Sequence, residues 1–284
     1  MAIQKMKPTT PSRRGMTTQD FDAVTTDKPV KSLVRIRKQN SGRNNQGRIT
    51  SRHRGGGAKR FDRNVNFNLA PGTIATVEHI EYDPGRTARI ARIRDEAGDP
   101  HYIVAPNGVK QGQTIQVSDA NNSTATPIET GNRLALRDIP TGAVIHNIEI
   151  TIGKGAQAVR AAGARAQLTA KEGDYALIKM PSGEVRRFRL ECMATIGSVG
   201  NEQHQNVKVG AAGRKRHMGI RPRVRGVAMN AVDHPHGGGD GGAHGTGKPP
   251  RTPWGQLTLG YRTRRRKSTN KMIVRSRHDA KRKR

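Results

Sequence analysis

Acidic residues and aromatics are the scarce classes in this 284-residue chain. Against 52 Lys/Arg stand only 22 Asp/Glu, and one Trp, four Tyr and four Phe are all the aromatics present. Single-strand nucleic-acid binders rely on aromatic platforms for stacking bases, and this chain offers few. A lone cysteine, Cys192, rules out an internal disulfide and fits a reducing compartment. No apolar run approaches the roughly 18 residues of a membrane span. Neither a strongly amphipathic helix nor a lipidation signal is evident, so no membrane partner is expected. The first residues, MAIQKMKPTTPSRRG, lack an apolar core and are not expected to act as a secretory signal. The sequons at Asn121 and Asn122 are then chance matches.

What the chain has is positive charge. A net +30 and a pI near 11.5 imply a permanent polyanionic partner, for which nucleic acid is the obvious candidate. The charge is unevenly placed. Residues 1–60 carry 15 Lys/Arg and 3 acidic residues, residues 61–200 carry 16 and 15, and residues 201–284 carry 21 and 4. A near-neutral centre is flanked by two basic arms, and like-charge runs poor in large apolar residues do not collapse alone.

The centre reads as β structure. TIATVEHIEY (73–82), a turn at Asp83-Pro84-Gly85-Arg86, TARIARIR (87–94), HYIVA (101–105) and TIQV (114–117) form one group. VIHNIEITI (144–152), AQLTA (166–170), YALIKM (175–180), EVRRFRL (184–190) and ATIGSV (194–199) form a second, separated by turns such as Glu172-Gly173-Asp174 and Pro181-Ser182-Gly183. Short strands with turn signals every 8–12 residues suggest a small barrel or sandwich, here two in succession. Alternation is imperfect, since Ile90 and Ile93 fall on opposite faces of a strand. The only helix signal in the centre is AQAVRAAGARA (156–166), enough for a turn or two.

The arms lack any period. GRNNQGRITSRHRGGGAKR (42–60) and GAAGRKRHMGIRPRVRGVAMN (210–230) mix Arg with Gly, Asn and Pro. Arginine presents a planar fork matched to phosphate oxygens, and glycine allows close backbone approach. Folded RNA or duplex DNA, gripped by phosphate and shape, suits such segments better than single strands. The RNA-binding candidates are Arg43, Asn44, Arg48, Arg52, His53, Arg54, Lys59 and Arg60 in the first arm. In the second they are Arg214, Lys215, Arg216, Arg221, Arg223, Arg225 and Asn230.

NAVDHPHGGGDGGAHG (230–245) most invites a catalytic reading, with His234, His236 and His244 beside Asp233 and Asp240 among six glycines. Gly242–Lys248 matches the start of a phosphate-binding loop, but Pro249 stands where a hydroxyl residue would hold magnesium, and Pro249-Pro250 prevents the helix that should follow. The histidines are metal-ligand types, yet six glycines preorganise no site and no Cys-x-x-Cys accompanies them. A histidine general base would need an orienting carboxylate, and the sequence shows no such meeting. No catalytic residue, metal or cofactor is expected. The reading that remains is bare backbone passing through a crowded, negatively charged space.

GRNNQGRITSRHRGGGAKR, EYDPGR, YIVAP, RPRVRGVAMNAVDHPHGGGDGG and TPWG together resemble the large-subunit ribosomal protein two family in its bacterial form, with the likeness running from Pro8 to Arg277. The resemblance implies a mainly β fold of two small barrels, an oligonucleotide-binding fold over 61–125 and an SH3-like barrel over 126–200. Long basic irregular extensions, 1–60 and 201–284, flank them. It also implies a structural, RNA-binding constituent of the large subunit, bound to the ribosome in the bacterial cytoplasm. The implied partners are large-subunit ribosomal RNA, small-subunit RNA across an intersubunit bridge, neighbouring ribosomal proteins and nearby tRNA. His234, His236, Gly237, Gly238 and Gly239 would lie near the peptidyl-transferase centre. A direct part for His234 or His236 in peptidyl transfer is the alternative. Asp240 and the following Gly241–Lys248 depart from the family pattern, so no role is carried over to His244 or Lys248.

Overall fold

The computed structural model describes residues 3–119, 126–240, 247 and 249–279, and the chain is mainly β. Two short antiparallel pairs come from the N-terminal region. β1 (Ile3–Lys5) pairs with β2 (Thr17–Gln19) around a four-residue helix α1 (Pro11–Arg14), and β3 (Val34–Ile36) pairs with β4 (Phe61–Arg63). Next, β5 (Ile74–Glu81), β6 (Ile90–Asp95), β7 (Pro100–Val104) and β8 (Thr114–Gln116) form a four-stranded antiparallel sheet in the order β7-β6-β5-β8. The turn at Pro84-Gly85 joins its two central strands, as the residue types there require.

The second domain opens with β9 (Arg133–Ala135), β10 (Val144–His146), β11 (Ile148–Glu149) and β12 (Ala156–Ala158). It continues through β13 (Ala166–Glu172), β14 (Tyr175–Lys179), β15 (Val185–Arg189) and β16 (Met193–Ile196). From the C-terminal region β17 (Ile273–Arg275) returns to the edge beside β15, giving a seven-stranded order β17-β15-β14-β13-β10-β16-β9. These two successive sheets are compatible with an oligonucleotide-binding-fold domain followed by an SH3-like one.

The segment 156–166 does not form the helical turns its alanines suggest. Ala156–Ala158 pairs with β11 instead, and Val159 (φ 54°) and Gly163 (φ 66°) adopt left-handed backbone that an α-helix cannot contain. Tertiary strand pairing overrides local propensity here.

The imperfect alternation of β6 has a physical cause. Ala91 and Ile93 face one apolar cluster with Val77, Ile103 and Ile115, while Ile90 faces another with Val65, Tyr102, Val104 and Val199. Both faces of the sheet are covered, so both sets of side chains are apolar. A third cluster, built on Leu134, Leu136, Ile145, Leu168, Ile178 and Phe188, fills the second domain.

The N-terminal residues help close the second of these clusters, through Val30 and Leu33. The Val30 N–H donates to the Tyr102 hydroxyl at 2.9 Å, and that hydroxyl donates to the Glu81 carboxylate at 2.8 Å. Burial is the main cause lifting the Tyr102 phenol to about 12. Arg89 is buried against the rings of Phe21 (4.5 Å) and Tyr82 (5.4 Å), which also meet each other edge to face, and donates to the Asp20 carbonyl at 3.2 Å. A buried ion pair joins Arg133 and Glu149 at 2.8 Å. Glu149 also accepts from the Gly155 and Met193 backbone N–H groups, and Arg133 donates to the Phe67 carbonyl.

The chain divides into two compact units. The first comprises 1–38, 59–211 and 271–284 and holds all three apolar clusters; the second comprises 39–58 and 212–270.

Candidate nucleic-acid interface

The second unit is built almost wholly from the two basic arms. Its sequence carries 17 Lys/Arg and two acidic residues, Asp233 and Asp240. Among its described residues one alone is buried, His234. Burying apolar surface is the main gain that offsets the ordering of a chain, and this unit buries almost none.

Backbone hydrogen bonds define its shape instead. In the first arm Asn44 organises a tight loop, its side-chain oxygen accepting the Gln46 and Arg48 N–H groups at 3.0 Å each. The Gly42 carbonyl accepts from Thr50 and Ser51. Arg43 and Ile49 face each other across the loop, which leaves Arg43 and Arg48 exposed. His53 sits in left-handed backbone at φ 63°, unusual for a residue with a side chain.

The arms then cross. The Arg221 N–H donates to the His53 carbonyl (3.1 Å), the Gly55 N–H to Gly219 (2.8 Å) and the Ala58 N–H to His217 (2.8 Å), with Arg54 bridged to Ile220. The crossing needs glycine. At Gly57, φ is +67° and a Cβ would lie 2.8 Å from the Gly219 nitrogen. Helix α2 (Ala212–His217), beside the crossing, carries Arg214, Lys215 and Arg216. Arg221, Arg223 and Arg225 follow, all exposed, and Arg225 caps a short 3-10 turn at Gly226–Ala228.

The glycine–histidine loop folds on itself. The His234 ring occupies the place a side chain would take at Gly226, and a Cβ at Gly237 would overlap the Asn230 carbonyl. His234 Nδ1 accepts the His236 backbone N–H at 3.1 Å, and His236 Nε2 accepts the Arg251 N–H at 2.8 Å. The two rings lie 5.4 Å apart. Asn230 accepts from the Asp233 N–H through its carbonyl, and Gly238 donates to Met229. Gly238 and Gly239 both have φ above 90°. Among the described residues no three His, Cys, Asp or Glu side chains gather as metal ligands. His244 and Lys248, most of the partial phosphate-loop match, and the sequons at Asn121 and Asn122 lie outside the described residues.

Most of the arm candidates therefore fall in one unit. Lys59 and Arg60 do not: they belong to the first, where Lys59 lies over the Phe61 ring (5.4 Å) and Arg60 reaches the Pro84 carbonyl (3.5 Å). Sequence reading passed over three features of the second unit. The Arg264–Lys267 run is exposed, with Arg264 tied to Thr269 and Asn270; four consecutive cations were its signal. Arg251 closes on the Gly255 carbonyl at 3.3 Å. Trp254 stands beneath the Arg52 guanidinium, 5.9 Å from carbon to ring centroid, a meeting of distant segments with no local signature.

Such a surface, cationic and rich in backbone turns, suits phosphate-dominated RNA recognition. Two family models match the chain. One, described as "Ribosomal Proteins L2, RNA binding N-terminal domain", covers residues 30–117, and the other, "Ribosomal Proteins L2, C-terminal domain", covers residues 129–255. The first match includes the Asn44 loop, and the second includes the arginine segment, the histidine loop and Trp254. The chain belongs to the ribosomal protein L2 family and is a ribosomal RNA-binding structural constituent of the large subunit.

Proposed function

We propose that residues 39–58 and 212–270 form the principal grip on ribosomal RNA and hold their fold through that contact. The carrying observation is the coexistence of 17 Lys/Arg with a single buried residue among those described. Arg43, Arg48, Arg52, Arg54, Arg214, Lys215, Arg216, Arg221, Arg223 and Arg225 neutralise phosphates. His53 and Asn230 make local hydrogen bonds to RNA, and Asn44 shapes its loop. Lys59 and Arg60 contribute from the first unit.

With about 10 phosphates neutralised, the logarithm of the binding constant falls with log salt at a slope of roughly −7 to −9. Titration of full-length protein with large-subunit RNA at several salt concentrations measures it. A slope near zero would remove phosphate neutralisation as the basis of binding.

The finer assignments follow the family resemblance. The barrels span 61–125 and 126–200, between extensions 1–60 and 201–284. The protein is of the bacterial form and supports subunit association through a bridge to small-subunit RNA. It adjoins other ribosomal proteins and supports tRNA binding and peptide-bond formation, with His234, His236 and Gly237–Gly239 near the peptidyl-transferase centre. Its part there is placement rather than catalysis. The geometry supports this, because one lone-pair nitrogen of each histidine already accepts a backbone N–H. His234→Gln and His236→Gln test it. Loss of peptide-bond formation with intact subunit assembly would favour acid–base chemistry by the imidazole; equal effects on both, or on neither, favour placement.

A further inference from the structure

The one tryptophan of the chain is 78% exposed. Its exposure does not come from an unstructured backbone. Thr252-Pro253-Trp254-Gly255 is a tight turn closing a small hairpin. The Gly255 N–H donates to the Thr252 carbonyl (2.9 Å), the Thr252 N–H to Gln256 (2.8 Å) and the Thr258 N–H to Pro250 (3.0 Å). Arg251 and Leu257 face each other at its base. Gly255, at φ +81°, supplies the left-handed residue that a three-residue hairpin loop places after its turn. The Gln256 N–H adds a bond to the Thr252 hydroxyl, and the Arg251 guanidinium holds the Gly255 carbonyl. The indole is thus carried outward on a braced tip.

The surroundings of the tip select its partner. Arg52 lies over the ring, in the position of a cation on an aromatic face. Residues 249–270 contain six Lys/Arg and no acidic residue, and residues 39–58 contain four Arg and none. A flat apolar surface set among cations complements a flat group attached to an anion. A nucleobase on a phosphodiester backbone has this composition.

We propose that Trp254 is a stacking platform for one unpaired base of ribosomal RNA, with Arg52 and Arg251 taking the adjoining phosphates. This rests on the RNA-grip reading of the second unit and adds that the grip recognises an unpaired nucleotide as well as charge. Aromatic scarcity argued against many such platforms; the fold supplies one.

The lone tryptophan makes the site its own reporter. Full-length protein is titrated with in vitro transcribed large-subunit ribosomal RNA of the source organism, following indole emission and, in parallel, retention of labelled RNA. Fully paired poly(A)·poly(U) and poly-glutamate serve as comparison polyanions. The ribosomal RNA quenches the indole on the same curve as binding, whereas the duplex and poly-glutamate bind without comparable quenching. Trp254→Leu weakens ribosomal-RNA affinity by about 5- to 150-fold, the range for loss of one aromatic–base stack, with the salt slope unchanged. Trp254→Phe, which keeps a ring, recovers most of that affinity. Tight, salt-sensitive binding without quenching, equal quenching by poly-glutamate or the duplex, or full affinity in Trp254→Leu would each overturn the stacking site while leaving the RNA grip standing. Failure of ribosomal RNA to bind the unaltered protein would overturn both.

Discussion

Lowering the pH should destabilise the β core through one histidine. His146 is fully buried in β10, where Nδ1–H donates to the Gly197 carbonyl at 2.8 Å and Nε2 has no hydrogen-bond partner among the described residues. Burial pushes its pKa from 6.5 down to about 4, against a smaller opposing contribution from the Gly197 bond. In the unfolded chain the imidazole takes up a proton near 6.5, whereas the folded protein refuses it until about 4. The unfolded state therefore binds more protons throughout that interval. The stability due to a neutral His146 is complete above pH 6.5 and is lost as pH falls towards 4. That separation is worth about 3 kcal/mol. Carboxylates add their own acid loss, so the measurement is a difference. Urea unfolding of full-length protein, followed by circular dichroism from pH 7 to pH 4, is compared with that of His146→Asn. The asparagine amide nitrogen replaces Nδ1 as donor and has no titrating group. The variant is less stable at pH 7 by about 1–2 kcal/mol, from the volume removed. Its stability falls less steeply with acid, so the two proteins converge or cross before pH 4. Parallel curves would refute the role assigned to His146.

Two further substitutions probe the two units separately. Glu149→Gln strands the buried Arg133 guanidinium without its counter-charge and should cost about 3–5 kcal/mol in the same unfolding experiment; a loss below about 1 kcal/mol would mean water reaches the pair. Gly57→Ala forces a side chain into left-handed backbone against the Gly219 nitrogen and the His217 carbonyl. It should weaken RNA binding about tenfold through roughly 1–2 kcal/mol of strain, while unfolding of the first unit stays unchanged. Undiminished affinity would show that the crossing of the arms does not matter for binding.

The longer central strands were readable because they join an alternating or two-faced apolar run to a turn rich in Gly, Pro, Asn or Asp, as in β5 to β6 across Pro84-Gly85. The short partners in the arms were not. β1, β2, β3 and β17 are three residues each, too short to show a period, and exist because a partner strand elsewhere in the chain offers hydrogen bonds. β9 escaped notice for a related reason, since Arg133 is buried by its pairing with Glu149 and looks like a surface residue in sequence. At the interface, charge and glycine content disclosed the class of partner. They did not disclose which residues meet. The crossing of 53–58 with 217–221 is made by main-chain groups that leave no trace in side-chain type beyond glycine. The Arg52–Trp254 contact is a tertiary event. The histidine loop yielded least: its imidazoles are catalytic types by composition, yet in the fold they accept backbone hydrogen bonds.

Amide hydrogen exchange on full-length protein, free and bound to large-subunit ribosomal RNA, tests most directly whether the second unit owes its fold to RNA. Amides of 39–58, 212–240 and 249–270 should exchange close to the unstructured rate in the free protein and slow by at least about 100-fold in the complex, equivalent to roughly 3 kcal/mol of local stabilisation, while β6 and β14 stay protected in both. Strong protection of those segments without RNA would contradict the account.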